Sequence, residues 1–195
     1  MNTIQEFLTQ QSNIKPAEGQ KGEFTDWLSF HELQLAGDAL QFTETRVLGL
    51  RGNEENECFE IPVSPGSFSV ECKGVRFGAD SRIAALRCYP SELSVVLGKK
   101  VSKIPVDMGG VSVVDIATIH SSMQEDEEEH EEWIEEILYG DDFSPVSIHK
   151  WDATNTEIPS VESGFGDGTY NLFELVFEGS VVGLQVEFIG EDDTY

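Results

Sequence analysis

Three groups of side chains in this chain have the types and spacing to do chemistry, and all three are acidic or glycine-rich. The first is the run Glu125 to Glu136, in which Glu127, Glu128, Glu131, Glu132 and Glu135 recur at helical spacing with Asp141 and Asp142 just beyond. Carboxylates so arranged form a negative surface that can attract and orient a cationic protein, and Trp133 or Tyr139 offers an aromatic anchor if it is not part of the core. The second group is Asp107, Asp115 and Asp167. If they converge at strand ends, they make an oxygen-ligand pocket for a divalent cation and, with it, a metal-dependent hydrolase or ligand-binding site. The third is Ser163-Gly164-Phe165-Gly166-Asp167-Gly168-Thr169-Tyr170. Its glycines permit positive φ and close backbone approach, which suits a ligand loop or a tight lead-in to a hairpin. An isolated Gly-Asp-Gly lacks the ligand count that calcium requires, so the structural role is favoured.

Other catalytic signatures are missing from the sequence. It contains no GxSxG elbow, Walker loop, GxGxxG or HExxH. His130 lies within a glutamate run, without a histidine at zinc spacing, and reads as a surface residue. His31, His120 and His149 read as strand or loop histidines. Cys58, Cys72 and Cys88 are odd in number and form no CxxC pair, which points to thiols in a core rather than a disulfide framework or metal site. No catalytic residue and no cofactor is therefore assigned.

Charge narrows the partners. The 195 residues carry a formal net charge of -25, and residues 1–103 hold 14 acids against 11 bases, whereas residues 104–195 hold 23 acids against one base, Lys150. Such a field repels a phosphate backbone and an anionic membrane at neutral pH. It favours a basic protein, for which a nuclease or toxin effector neutralised by an immunity protein is the leading expectation; mimicry of nucleic-acid phosphates is a variant of the same idea. Charge kept for solubility alone is the plain alternative. The amino terminus lacks a basic segment followed by an apolar one and no apolar run is long enough to span a bilayer, so a cytoplasmic protein is expected, as a monomer or small homo-oligomer.

The elements that must position these groups are mostly strands. Phe68, Val70 and Cys72 alternate with polar residues after Pro65-Gly66, and Arg82 to Tyr89 alternates in the same way. Asn171 to Phe177 and Val182 to Phe188 flank Glu178-Gly179-Ser180 and predict a terminal hairpin. Further strands are expected near Glu32 to Leu35, Ala39 to Phe42, Arg46 to Leu50, Leu93 to Leu97 and Gly110 to Asp115. Two helices are expected. Asn2 to Gln10 places Ile4, Phe7 and Leu8 on one face, and Ser121 to Tyr139, ended by Gly140, places Trp133, Ile134, Ile137 and Leu138 on another. Residues 1–22 then form an amino-terminal helix and loop, and residues 23–195 one mainly β domain: an antiparallel sheet or sandwich with one acidic helix.

Four landmarks, in order, resemble the bacterial domain of unknown function family 4241. They are Pro65-Gly66-Ser67-Phe68-Ser69-Val70, the strand Arg82 to Arg87, Val106-Asp107-Met108-Gly109 with the later Asp115, and Ser163 to Tyr170. The similarity spans roughly residues 55 to 190 and implies a mainly β bacterial domain, without a reaction or catalytic residues to carry over.

Overall fold

The computed structural model describes residues 3–8, 17–45, 48, 58–107, 109–115, 132–137, 144–151 and 155–194. Among the described residues, eleven strands follow one short helix: α1 (Thr3–Leu8), β1 (Glu23–Leu35), β2 (Ala39–Glu44), β3 (Cys58–Pro62), β4 (Gly66–Phe77), β5 (Asp80–Pro90), β6 (Val96–Val106), β7 (Gly110–Asp115), β8 (Val146–Trp151), β9 (Thr156–Glu162), β10 (Gly168–Phe177) and β11 (Ser180–Glu187). They form a six-stranded sheet in the order β1-β4-β5-β11-β10-β6 and a five-stranded sheet in the order β3-β2-β7-β9-β8. Every pairing is antiparallel.

One apolar core joins the two sheets. Val70, Cys72, Leu86, Cys88, Leu172 and Leu184 from the first meet Leu40, Phe42, Val111, Val113 and Val161 from the second. Each such side chain removed from water contributes about 1.5–3 kcal/mol, which is why two-residue periodicity settles which face of β4 and β5 turns inward. Phe68, Val70 and Cys72 point in and Ser67, Ser69 and Glu71 point out, as their alternation requires. In β5 the inward set is Ala84, Leu86 and Cys88, while Arg87 and Tyr89 lie on the outer face.

The terminal hairpin forms as expected. Glu178 and Gly179 both have positive φ, 49° and 83°, the two-residue geometry that matches the twist of paired strands. Helix α1 uses the expected face: Ile4 and Leu8 are buried and Phe7 packs against the core, with the Arg76 guanidinium 4.9 Å from its ring centre; Asn2, Thr9 and Gln10 lie outside the described residues.

β7 is buried along its whole length, because the core covers one face and a second cluster the other. That cluster comprises Leu48, Val114, Ile134, Trp151 and Ile158, with Trp133 packed on it. Residues 132–137 are helical and supply Trp133, Ile134 and Ile137 to this layer. The rest of the expected helix, and the expected strand Arg46 to Leu50 apart from the buried Leu48, lie outside the described residues. Beneath the layer, buried hydroxyls satisfy one another: Thr45 Oγ1 and Ser112 Oγ are 2.9 Å apart, and Ser112 Oγ and Ser160 Oγ 2.6 Å.

One strand is displaced from its expected position. Leu93 lies in a turn, its N–H donating to the Pro90 carbonyl at 3.0 Å, and β6 begins only at Val96 and runs through Lys99, Lys100 and Lys103. As an edge strand, β6 tolerates lysines that an interior strand would reject, so its polarity hid it. None of the helices formed by the described residues is long and apolar enough to cross a membrane.

Candidate functional site

The outer face of the six-stranded sheet carries an unusual row of polar side chains. Strand register places Glu71 opposite Arg87 and Arg87 opposite Gln185. In the next row Lys73 stands opposite Trp27 and Ala85, and Glu187 opposite Ala85 and Asn171. Directly opposed residues share a face, so these groups project together, away from the core.

At the centre, Arg87 Nε and Nη2 reach Glu71 Oε2 at 2.7 and 2.5 Å. The Trp27 ring caps this guanidinium at 4.1 Å from its centre and the Tyr89 ring lies at 5.1 Å. Tyr89 donates its hydroxyl hydrogen to Glu71 Oε1 at 3.1 Å. Burial, and secondarily the Glu71 charge, pushes the Tyr89 phenol above its usual range, which keeps it a donor. Charged groups held this way on a sheet face form a rigid floor rather than a mobile fringe.

A cleft of about 660 Å3 opens over this floor. Phe24 and Trp27 wall it on one side, Leu97 and Leu175 on the other, and the segment from Ile189 to Asp193 closes one end. The small side chain of Ala85 leaves the hollow. The closing segment is itself held: Gly190 N–H donates to Asp193 Oδ2 at 2.7 Å, and Thr194 bridges to Lys21.

The electrostatics of the cleft are one-sided. Glu187, Glu191, Asp192 and Asp193 line it together with two cations, Arg87 and Lys73. Arg87 is committed to Glu71. Lys73 Nζ lies 2.8 Å from Glu191 Oε1 and 5.2 Å from the Phe24 ring centre, so an ammonium sits between a carboxylate and an aromatic face. Lys73 holds the Glu191 carboxyl below the usual range. Glu187 moves the other way: burial raises it first, then the charges of Asp193 and Glu191, against the pull of Lys73. By count, the four carboxylates of Glu187, Glu191, Asp192 and Asp193 outnumber the two cations that line the cleft with them.

The residues singled out from sequence fall in different places. Glu132 and Glu135 are exposed on the helical turn at 132–137, as is Glu136. Glu127, Glu128, Glu131, Asp141, Asp142 and Tyr139 lie outside the described residues, as do His120 and His130. Trp133 belongs to the second cluster. It packs edge-on against Trp151, with ring centres 5.1 Å apart, and donates Nε1–H to the Lys150 carbonyl at 3.0 Å. This is the core role rather than that of a free anchor.

The three aspartates do not form one group. Pairing of Gly168 with Val106 brings the exposed Asp167 and Asp107 to one end of the β10–β6 ladder. Asp115 stands at the far end of β7, opposite Leu40, whereas Val111 near the start of β7 is opposite Glu44, whose Oε1 accepts from the Asp107 N–H at 2.7 Å. Four residues of strand separate the two ends, roughly 13 Å. Asp115 is buried, and its Oδ2 accepts from the N–H groups of Ala36 and Gly37 at 2.7 and 2.9 Å, pinning the β1–β2 turn. Among the described residues no cluster of three or more histidine, cysteine or acidic side chains could hold a metal ion. The convergence that a three-aspartate site would require is not met, because the antiparallel path of β7 carries Asp115 away from the other two.

The glycine-rich stretch is closed on itself. Tyr170 donates to the Gly166 and Ser163 carbonyls at 2.5 and 2.9 Å, Ser163 Oγ donates to the Gly166 carbonyl at 2.7 Å, and Gly166 N–H to the Ser163 carbonyl at 2.9 Å. Gly164, at φ 58°, backs onto Phe188 and Ile189. These internal bonds use the groups a ligand would need. The thiols are likewise structural: Cys72 and Cys88 are buried, and burial pushes Cys72 up to about 12 and Cys88 higher still.

Sequence reasoning passed over Trp27, Glu71, Lys73, Glu187 and Glu191. The available signal was the interruption of two alternating strands by facing opposite charges, Glu71 and Arg87, which registers only once β4 and β5 are paired. Comparison with protein-family models, with curated proteins and with solved structures finds no match, so the family resemblance rests on its motifs alone.

Proposed function

We propose that this chain is an acidic interaction protein that captures a basic protein partner through the outer-face cleft, and that it acts as an immunity-type inhibitor of a nuclease or toxin effector. The observation that carries the reading is the seat of Lys73. The cleft already receives an ammonium between Phe24 and Glu191, and Glu187, Asp192 and Asp193 line the same cleft with further carboxylates. A partner's lysine or arginine meets the same chemistry there.

Two further features support it. The net charge of -25 speeds encounter with a cationic surface and disfavours polyanionic partners. Glu132, Glu135 and Glu136 add exposed carboxylates on the helical turn over the five-stranded sheet. An inhibitor of a nucleic-acid enzyme needs this pattern, because carboxylates laid over a cationic substrate groove exclude the phosphates that would bind there.

The test has two arms. Fluorescein-labelled deca-arginine is titrated into the wild type and into a variant carrying Glu187→Gln, Glu191→Gln, Asp192→Asn and Asp193→Asn; salt-sensitive binding lost in the variant supports cation capture, and equal binding by both overturns the cleft as its site. For the inhibitor role, each protein encoded by a gene flanking this one is assayed for plasmid cleavage with and without a molar excess of this protein, and cleavage by none of them overturns the role. Stoichiometric inhibition supports the role, and undiminished cleavage overturns it.

A further inference from the structure

A second cleft, of about 620 Å3, opens at the end of the sandwich where Asp115 pins the β1–β2 turn. It lies between the sheets: Asp38 and Val63 flank it from the five-stranded side, and Phe68, Leu93 and Val181 from the six-stranded side. Its walls are tied down. Val63 N–H donates to the Asp38 carbonyl at 2.9 Å, Ser91 N–H to the Ser67 carbonyl at 2.9 Å, and Leu93 N–H to the Pro90 carbonyl at 3.0 Å. Pro62, Pro65 and Pro90 stiffen the same walls and offer no N–H, so an occupant is recognised by its side chains and not by adding a strand.

The cleft continues into an exposed apolar row. Val181 stands opposite Val176, and Val176 opposite Val96, so the three valines share one face across three strands. Val96 is 65% exposed and Val181 38%, high values for branched aliphatic side chains side by side. Two strand spacings extend the apolar track by roughly 10 Å beyond the cleft, which suits an extended segment better than a compact small molecule.

Charge decides what kind of segment. The exposed Asp38 and Glu92 line the cleft, no lysine or arginine does, and neither carboxylate forms an ion pair among the described residues. An aliphatic floor beside two unneutralised carboxylates complements a chain that alternates aliphatic and cationic residues.

We propose that this cleft and the valine row bind an extended segment of a basic protein, with an aliphatic side chain seated against Val63, Leu93 and Val181 and a neighbouring lysine or arginine against Asp38 or Glu92. The assignment rests on the proposed basic partner and gives it a second, sequence-selective point of attachment, with lining residues separate from those of the outer-face cleft.

The experiment is an amide NMR titration of the full chain with three blocked hexapeptides: alternating arginine and leucine, alternating arginine and serine, and alternating glutamate and leucine. The arginine–leucine peptide is expected to shift Val63, Leu93 and Val181 and to bind about ten-fold more tightly than either of the others, one buried aliphatic contact and one charge contact each being worth about that much. Val181→Asp is expected to abolish those shifts. Val181→Ser, a milder change at an exposed position, is expected to weaken them with an otherwise unchanged spectrum. Equal binding of the arginine–serine peptide, or no shifts at Val63, Leu93 and Val181, overturns the proposal. Shifts confined to Trp27, Asn171 and Glu187 overturn it while leaving the outer-face cation site standing; absence of both sets overturns both.

Discussion

Arg87 grips Glu71 through two nitrogen atoms while the Trp27 ring covers its other side, and this arrangement holds the middle of the sheet face on which the acidic cleft beside Lys73 is built. Both side chains are largely withdrawn from solvent, at 19% and 14% exposure. Removing one partner strands the other, which costs more than removing both. Arg87→Ala is expected to lower unfolding free energy by about 2–4 kcal/mol, and Arg87→Met with Glu71→Gln to recover much of it. Urea denaturation of the two variants measures the difference.

Glu187 is a pH-dependent liability. Its folded-state carboxyl titrates above the ordinary 4.5, so the folded protein holds this proton more tightly than the unfolded chain. Stability linked to it is therefore full below the unfolded value and declines as pH rises through the raised one. Glu187→Gln is expected to raise the melting temperature at pH 7 by about 1–3 °C, given the partial exposure that screens it, with the gain fading as pH falls towards 4.5. Melting curves at successive pH values measure the trend; a gain that grows on acidification contradicts it.

His149 works in the opposite sense. Burial lowers its pKa below 6.5, and its Nε2 is buried with no hydrogen-bond partner among the described residues. The unfolded chain binds this proton more readily, so stability falls as pH drops through and below 6.5. His149→Phe is expected to flatten that acid limb without altering stability at pH 8 by more than about 1 kcal/mol. Denaturation midpoints at pH 5 and 8 decide it.

Gly183 is there because β11 passes β5 too closely for any side chain. A Cβ would collide with the Cys88 carbonyl oxygen and lie 2.8 Å from Tyr89 Cβ. Backbone cannot yield as a flexible side chain can, so Gly183→Ala is expected to cost about 2–3 kcal/mol and to loosen Tyr89 from Glu71. Hydrogen exchange at β5 amides in the variant reads that loosening directly.

Strand identity was legible in this sequence where apolar residues alternate strictly with polar ones, and not in β6, whose lysines hide it. Phe68, Val70 and Cys72 announced β4, and Glu178-Gly179 announced the terminal turn. β8 and β9 passed unnoticed, because Ser147, His149, Ser160 and Glu162 interrupt the apolar pattern, and Ser160 is satisfied by Ser112 of β7, a partner that only strand pairing brings near. The candidate site was less legible than the fold. Its floor joins β4, β5 and β11, whose residues are more than 100 positions apart at the extremes, and only register brings Glu71, Arg87 and Gln185 into one line. The charge count draws attention to the acidic carboxy-terminal half, but Lys73 and Phe24, which also line the cleft, lie in the nearly balanced amino-terminal half. The three aspartates show the converse: Asp107 and Asp115, near in sequence, are parted by the length of β7, whereas Asp167, far in sequence, comes to the same ladder end as Asp107.

The most direct measurement is the association rate of deca-arginine with this protein across ionic strength, by stopped-flow fluorescence, for the wild type and for the variant neutralised at Glu187, Glu191, Asp192 and Asp193. Cation capture at the outer-face cleft predicts a rate that falls steeply with salt in the wild type, and a slower, flatter dependence in the variant. Identical salt dependence in the two proteins would contradict it, because the chain's overall charge and not the seat beside Lys73 would then govern the encounter.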